Sequence, residues 1–522
     1  MNRNLNEDLS VSDNVENDHW NPLKLMSENT EVFSSQIDKI RTAMVVAVAE
    51  LYLLLFSVHT SPLYEIWGGD SAFYILVGKG MKYGYFPYRD FYDTKGPYMY
   101  ILEYIGQVIC EGRFGAFIIQ SVLFCLSMVF LDKVIGVGRT KRKLYEVVLI
   151  FPLVLMAIFS VGGGGLTEDF SLLPLSVCLY LCTKFVNSSM KKHPPIWGGI
   201  YGLSFGILAL MRVNNSAALC AGVLTISIIL IYRHQWKNIL CNAIAFLGGC
   251  LLAALPIIIL LGHNHTLVDM INQVFLGGWK YSQQVKNNGL LLVFNGAYRV
   301  SVYPLCVGLL VSLMFATKET WRSTLLIWIS TIATLMSIAV SGRNFEHYYV
   351  LLIPVVSLDV WYIWNMVMNG QIKERKKHVA VVFATLFCLS FFGIIYLDGS
   401  YIVKNVIIEA DTTIDDSTRD VSVNIGNGSV YCWTPNPRWY SVAARFPSFK
   451  HCYWQEDQMQ LDPTIRDEYE DMFLNNPPDW LVLEKNENKL PIFVMQSVEE
   501  NYVVFYQNDY WQVLKKTSSN SK

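Results

Sequence analysis

Asp70, Arg89, Asp90, Asp93 and Lys95 crowd into WGGDSAFYILVGKGMKYGYFPYRDFYDTKGP, residues 67–97, a stretch with apolar sequence on both sides. A carboxylate at Asp70 suits a general base that takes a proton from an acceptor hydroxyl. It equally suits a cap on the helix that SAFYILVGKGMKYG can form. Lys95 stands just before a Gly–Pro break, where an ammonium can hold a phosphate or snorkel to headgroups. A second stretch, VGGGGLTEDF (161–170), sets four glycines before Thr167, Glu168 and Asp169. Consecutive glycines carry an entropic cost and make sense where backbone must approach something closely. Glu168 or Asp169 would then help orient the base or the acceptor, although Glu168 with Thr167 could simply cap a helix. Cations complete the set: Arg212 in LALMRVNNSA, and Arg343 with His347, Tyr348 and Tyr349 in SGRNFEHYYV. Arginine and lysine are the usual partners of phosphate oxygens. Arg212, Arg343, His347, Tyr348, Lys95, Arg89 and Asp93 are therefore the expected lining of a phosphate subsite. Arg212 has one bland alternative, pairing with Glu50 inside the first apolar segment.

These residues need a membrane to position them. Of the 522 residues, 52% are hydrophobic and 16% charged, and mean hydropathy is +0.31. Soluble domains carry about 25% charged residues. A net charge of -2 shows no basic excess, which argues against nucleic acid. Apolar stretches of spanning length fall near 42–60, 114–136, 144–161, 166–186, 196–211, 214–232, 238–261, 293–316, 323–340, 348–367 and 379–396. The expected fold is thus an all-α polytopic membrane domain of about eleven spans, 42–396, followed by a small mixed α/β domain, 397–522. PYMYILEYIGQVICEG (97–112) is shorter, carries Glu103, and reads as a helix lying in the interface.

The basic clusters at Lys39/Arg41, RTKRK (139–143), KKH (191–193), RHQWK (233–237), KETWR (318–322) and KERKKH (373–378) then all fall on one side. The positive-inside rule makes that side cytoplasmic. The loops 61–113, 161–170, 211–215, 262–292 and 341–349 face outward, as does the C-terminal domain. Residues 1–41 are polar and acidic, without an early apolar core, and are expected to be a disordered cytoplasmic tail and not a signal peptide. In the C-terminal domain VYCW (430–433), WLVLE (480–484), YVVFYQ (502–507) and WQVLKK (511–516) read as strands, and IRDEYEDMFLNN (465–476) as a helix. Most cysteines, such as Cys125, Cys178, Cys182, Cys220 and Cys250, lie in apolar runs with no metal-site spacing. Cys432 and Cys452 share a polar region and can pair only if it meets an oxidising space.

An outward phosphate site has no access to cytoplasmic nucleotide sugars or ATP. Its phosphate has to arrive on a lipid, and a polyprenyl-phosphate sugar fits. The phosphate is already a good leaving group, so the chemistry needs a base for the acceptor hydroxyl and cations for the departing phosphate. A single displacement inverts the anomeric centre. The rival from another class is a transporter or flippase of polyprenyl-linked glycans. It would place charge at the midplane and often shows repeats; Glu50 is the one clear midplane acid and no repeat is visible. A non-catalytic surface protein leaves the loop carboxylates unexplained.

The first loop also resembles that of the GT-C class of integral-membrane glycosyltransferases. It is most similar to bacterial members related to protein O-mannosyltransferases and lipid A aminoarabinose transferases. The resemblance rests on Asp70 after the first span, on GYFPYRD (84–90) and on Lys95–Gly96–Pro97. GGGGLTEDF is similar to the family's second acidic loop, and FEHYYVLLIP to its late histidine–tyrosine element. The likeness spans roughly 42–396 in architecture. It implies a polyprenyl-phosphate sugar donor, an outward active site, a base on the first loop, and a bacterial plasma-membrane setting. Ser71 departs from the pattern, since many relatives carry an acid or a histidine there. In some relatives loop carboxylates and a histidine bind a divalent metal, so a metal is possible here. The acceptor is left open among a cell-wall glycan, a glycolipid and a protein.

Overall fold

The computed structural model describes residues 22–517 apart from 140, 162, 284–292, 294–296, 341–344, 369–373, 403–411, 455–458, 460, 461 and 486–489. The helices up to the middle of the chain are α1 Pro22–Phe56, α2 Asp70–Lys82, α3 Pro97–Ile109, α4 Arg113–Ile135, α5 Phe151–Val161, α6 Thr167–Val186, α7 Pro195–Arg212, α8 Ala217–Tyr232 and α9 Trp236–His263. Later helices of the membrane region include Tyr303–Met314, Trp321–Val340, Leu352–Met368, Glu374–Ser390 and Phe392–Ile402. Among the described residues seven helical stretches are long and apolar enough to cross a membrane, and Leu144–Ala157 and Val300–Met314 are shorter apolar ones. One of the seven, Pro195–Tyr232, covers both α7 and α8 and so holds two of the eleven expected spans, 196–211 and 214–232, while the shorter apolar helices fall on the expected 144–161 and 293–316. The stretch expected over 144–161 begins as a 3₁₀ turn, Leu144–Ile150, before α5.

Three further expectations shift. The stretch expected as a disordered tail overlaps α1, which begins at Pro22; residues 1–21 lie outside the described residues. Near the end of that overlap Arg41 pairs with Asp38 at 2.9 Å, one helical turn away, and with Asp132 at 3.2 Å. Glu50 does not meet Arg212; it accepts a hydrogen bond from Ser121 and faces the Cys125 thiol at 3.6 Å. Nor is Glu50 the one midplane acid. Asp359 in Leu352–Met368 is buried, with neither carboxylate oxygen hydrogen-bonded among the described residues.

Chain direction in the bundle follows from the packing of α7 and α9. Gly198, Gly202 and Gly206 meet Asn242, Phe246 and Ala253 in ascending order, so the two helices run parallel. Small residues let helix backbones approach where no hydrophobic drive exists between spans. The intervening α8 must run the other way, so the chain reverses at Arg212–Ser216. Arg212 itself is extended at φ −161°. One end of the bundle gathers the basic clusters. Arg142 meets Asp132 at 2.7 Å, Arg139 meets Glu146 at 2.8 Å, and Arg233 and Arg322 donate to the carbonyls of Met190 and Ser188. The opposite end gathers the polar loops.

The C-terminal unit forms a four-stranded sheet, β1 Val430–Trp433, β2 Trp480–Glu484, β3 Tyr502–Gln507 and β4 Trp511–Lys516, in the order β1-β2-β4-β3. The β1/β2 pair is parallel and the other pairs are antiparallel. All four strands match the sequence expectation, as does the helix Pro463–Asn475, whose Asp462 cap accepts the Thr464 N–H at 3.2 Å. Cys432 and Cys452 are both buried and form no disulfide. One apolar cluster runs continuously from Phe73, Tyr74 and Tyr100 of the 61–113 region to Val430, Trp439 and Trp511 of the sheet unit. The unit is docked on the loop through a shared core.

Candidate functional site

The loop that ends in Lys95 is built around an unusual backbone. Tyr88 adopts φ +72°, a left-handed conformation that costs a bulky residue energy. Its surroundings hold it there. Its N–H donates to the Phe91 carbonyl at 2.8 Å, its hydroxyl to the Lys95 carbonyl at 2.8 Å, and its own carbonyl accepts from Gln273 at 2.8 Å. Gln273 also accepts the Asp93 N–H at 3.2 Å, so the helical turn Ile271–Gly277 braces the first loop. Gly96 then donates to the Met211 carbonyl at 2.9 Å. A Cβ at Gly96 would collide with the Leu210 carbonyl. Only glycine lets this loop press onto the end of α7, and that contact sets Lys95 beside Arg212.

The second loop uses glycine differently. Gly163, Gly164 and Gly165 all have positive φ, at 89°, 97° and 75°. Side chains there would strike His59, Ser57 and, at 3.3 Å, the Ser71 Cβ. The loop thereby lies against the residue after Asp70 and starts α6 with Thr167, Glu168 and Asp169 pointing inward. The two acids divide their tasks. Asp169 accepts the Leu166 N–H at 3.0 Å and lies 3.4 Å from the Gln120 amide, closing the helix start. Glu168 accepts from the Thr167 hydroxyl at 2.9 Å and pairs with Arg212. The guanidinium of Arg212 also sits over the Tyr348 ring, 4.4 Å from its centroid, a cation–π contact that fixes its plane.

Asp70, Asp93, Lys95, Glu168, Arg212, His347 and Tyr348 come together in one electrostatic cluster. Lys95 lies within range of Asp93, Arg212, Asp70 and Tyr348, and His347 within range of Glu168, Arg212, Asp70 and Lys95. Lys95 is half-buried and makes no hydrogen bond or direct ion pair among the described residues. Burial pulls its ammonium down, but Asp93 and Asp70 outweigh burial and Arg212, and the pKa is raised. Burial pushes the Asp93 carboxyl up against the opposing pull of Lys95. Asp93 is tied to the Tyr100 hydroxyl, accepts the Thr94 N–H at 2.6 Å and lies in electrostatic range of Lys95. Asp70 is exposed in the first turn of α2 and takes no part in capping; the cap position is Gly69, without a side-chain bond.

Two expected residues stand apart. Arg89 is bound to both oxygens of Asp90 and to the Gly84 carbonyl, at 2.7–3.2 Å, and is half-exposed on the loop's rim. Arg343 lies outside the described residues. The sequence reading missed the aromatic surround: Tyr74, Tyr88, Tyr100 and Tyr453, with Gln273. Tyr74 sits four residues after Asp70, one helical turn on, and that spacing was the available signal. Among the described residues no three His, Cys, Asp or Glu side chains gather as metal ligands.

The sequence matches no family model and no curated protein. The fold has likenesses among solved structures. ArnT from Cupriavidus metallidurans bound to undecaprenyl phosphate superposes with a TM-score of 0.58 at 11% identity, over 91% of this chain and 98% of that one. The same enzyme in the apo state gives 0.58 at 12% identity, over the same shares. The chain thus has an ArnT-like GT-C fold, a multi-pass helical domain with a small C-terminal sheet unit.

Proposed function

We propose that this protein is a glycosyltransferase that moves a sugar from a polyprenyl-phosphate donor to an acceptor hydroxyl at the outer face of a membrane. The observation that carries the proposal is the Lys95 ammonium, without a hydrogen bond among the described residues, in electrostatic range of both Arg212 and the exposed Asp70 carboxylate. Its setting is a fold also seen in a protein that holds undecaprenyl phosphate.

Asp70 takes the proton of the acceptor hydroxyl as its oxygen forms a bond to the anomeric carbon. The bond from that carbon to the phosphate oxygen breaks, and the electron pair leaves with polyprenyl phosphate. Lys95 and Arg212 meet the charge that develops on the phosphate, an electrostatic contribution that acts most strongly where water is excluded. Glu168 holds the Arg212 plane, Asp93 keeps Lys95 charged, and His347 and Tyr348 close the phosphate side. A single displacement inverts the sugar. The loops carrying these groups are extracytoplasmic and the basic ends cytoplasmic, in a bacterial plasma membrane.

Purified protein in lipid, given a panel of labelled polyprenyl-phosphate sugars and crude envelope acceptors, should release polyprenyl phosphate and yield a product of opposite anomeric configuration. Absence of release from every donor, or a retained configuration, contradicts the proposal. One observation favours a second activity, glycan transport: Asp359 is a buried intramembrane acid with no hydrogen-bond partner among the described residues, a feature typical of transport pathways. Glycan translocation into vesicles that Asp359→Asn abolished, without donor turnover, would establish that activity instead.

A further inference from the structure

The C-terminal unit reaches into the catalytic cluster. Its segment 450–454 lies along the first outer loop. The Lys450 carbonyl accepts the Tyr92 N–H at 2.8 Å, and the His451 ring lies 4.7 Å from the Tyr92 ring. The unit fixes this segment from behind. His451 meets Glu468 at 2.6 Å, the Tyr453 carbonyl accepts from the Tyr469 hydroxyl at 3.1 Å, and Trp454 packs on Trp433 with centroids 4.1 Å apart. Ser441 adds a hydrogen bond to the Ala72 carbonyl at 2.8 Å.

Tyr453 projects out of this frame. Its ring meets Phe73 edge-on at 5.6 Å, three residues after Asp70. Its phenol lies in electrostatic range of Asp93 and Asp70. The hydroxyl has no hydrogen-bond partner among the described residues, and the side chain is only half-buried. A phenol with free donor and acceptor capacity therefore stands beside Phe73, in range of the Asp70 carboxylate. The Asp70 carboxylate and the Tyr453 phenol beside it accept from hydroxyl groups and disfavour an anion.

We propose that Tyr453 positions the acceptor, and that the group it receives is a neutral, hydroxyl-rich glycan. The inference rests on the glycosyltransferase reading above. The Tyr453 hydroxyl bonds an acceptor hydroxyl next to the one that Asp70 deprotonates, and the C-terminal unit thus completes the site.

The test uses the full chain in lipid with a labelled polyprenyl-phosphate sugar. Initial rates are measured against rising concentrations of a neutral envelope-glycan fraction and, separately, an anionic one. Loss of one hydrogen bond of about 1.4 kcal/mol corresponds to about tenfold. Tyr453→Phe keeps the ring on Phe73 and should raise KM for the neutral fraction about tenfold, with kcat within about twofold. Affinity for undecaprenyl phosphate should not change. Tyr431→Phe is a control for the same unit: it removes a buried hydroxyl that bonds the His451 carbonyl at 3.0 Å, away from the cluster. It should leave KM unmoved. Turnover with an unchanged KM in Tyr453→Phe, a matching rise in Tyr431→Phe, or preference for the anionic fraction overturns this inference alone. No turnover with either fraction overturns it together with the glycosyltransferase reading.

Discussion

The Arg212 guanidinium is held from two directions: the Glu168 carboxylate pairs with it, and the face of Tyr348 lies 4.4 Å away. Both partners are buried, and the Arg212 side chain retains 20% exposure. A cation so oriented still offers N–H groups to a ligand. Removing it should therefore do two separable things. Arg212→Ala leaves Glu168 buried and unpaired, a loss of about 3–5 kcal/mol, and it removes a phosphate contact. Adding Glu168→Gln should recover most of the thermal stability while undecaprenyl-phosphate affinity stays down at least about tenfold. A double mutant that regained both would make Arg212 purely structural.

Lys95 should matter through its charge. Lys95→Met is expected to lower turnover by about 100-fold or more, the scale of one preorganised electrostatic group. Lys95→Arg should restore part of it, and Asp93→Asn should weaken the site less than the loss of Lys95. Steady-state release of polyprenyl phosphate orders the three variants. Equal loss in Lys95→Met and Lys95→Arg would mean that shape matters and charge does not.

Arg89 provides the contrast. It is engaged by Asp90 on an exposed rim, where an ion pair contributes about 0–1 kcal/mol. Arg89→Ala should leave donor affinity and turnover within about twofold. A loss comparable to that of Lys95→Met would return Arg89 to the phosphate subsite.

Glu103 makes stability depend on pH. It is buried in α3 against Gly78 of α2, with neither carboxylate oxygen hydrogen-bonded among the described residues. Burial pushes its carboxyl up to about 8 from 4.5. The folded protein then holds this proton more tightly than the unfolded chain. Stability is complete below about pH 4.5 and falls as pH rises towards about 8, by up to about 1.4 kcal/mol per unit. Glu103→Gln should flatten that part of the profile in thermal melts from pH 5 to 8, values chosen roughly to span the window. An unchanged slope would place the ionised carboxylate in contact with water.

Much of this architecture was legible from residue types. The strands of the C-terminal unit follow alternation and turn residues, and the loops group at one end because the basic clusters group at the other. Asp70, Lys95, Glu168 and Arg212 were recognisable as acids and cations at the ends of apolar runs. Pairing was not. Nothing local distinguishes Glu168, which meets Arg212 across 44 residues, from its neighbour Asp169, which closes its own helix. Arg89 looked like a phosphate ligand because its bond to the adjacent Asp90 is a matter of rotamer and loop path. The contribution of Tyr453 depends on a docking contact between segments more than 350 residues apart, which no local pattern encodes.

The central claim is that Asp70 takes the acceptor proton. Its most direct test is the release of polyprenyl phosphate by native protein and by Asp70→Asn in lipid, with undecaprenyl-phosphate binding and melting temperature measured on both. The account predicts that Asp70→Asn folds and binds the lipid phosphate as the native chain does, yet transfers at least about 1,000-fold more slowly, within the range for loss of a general base. Normal turnover in Asp70→Asn would contradict it.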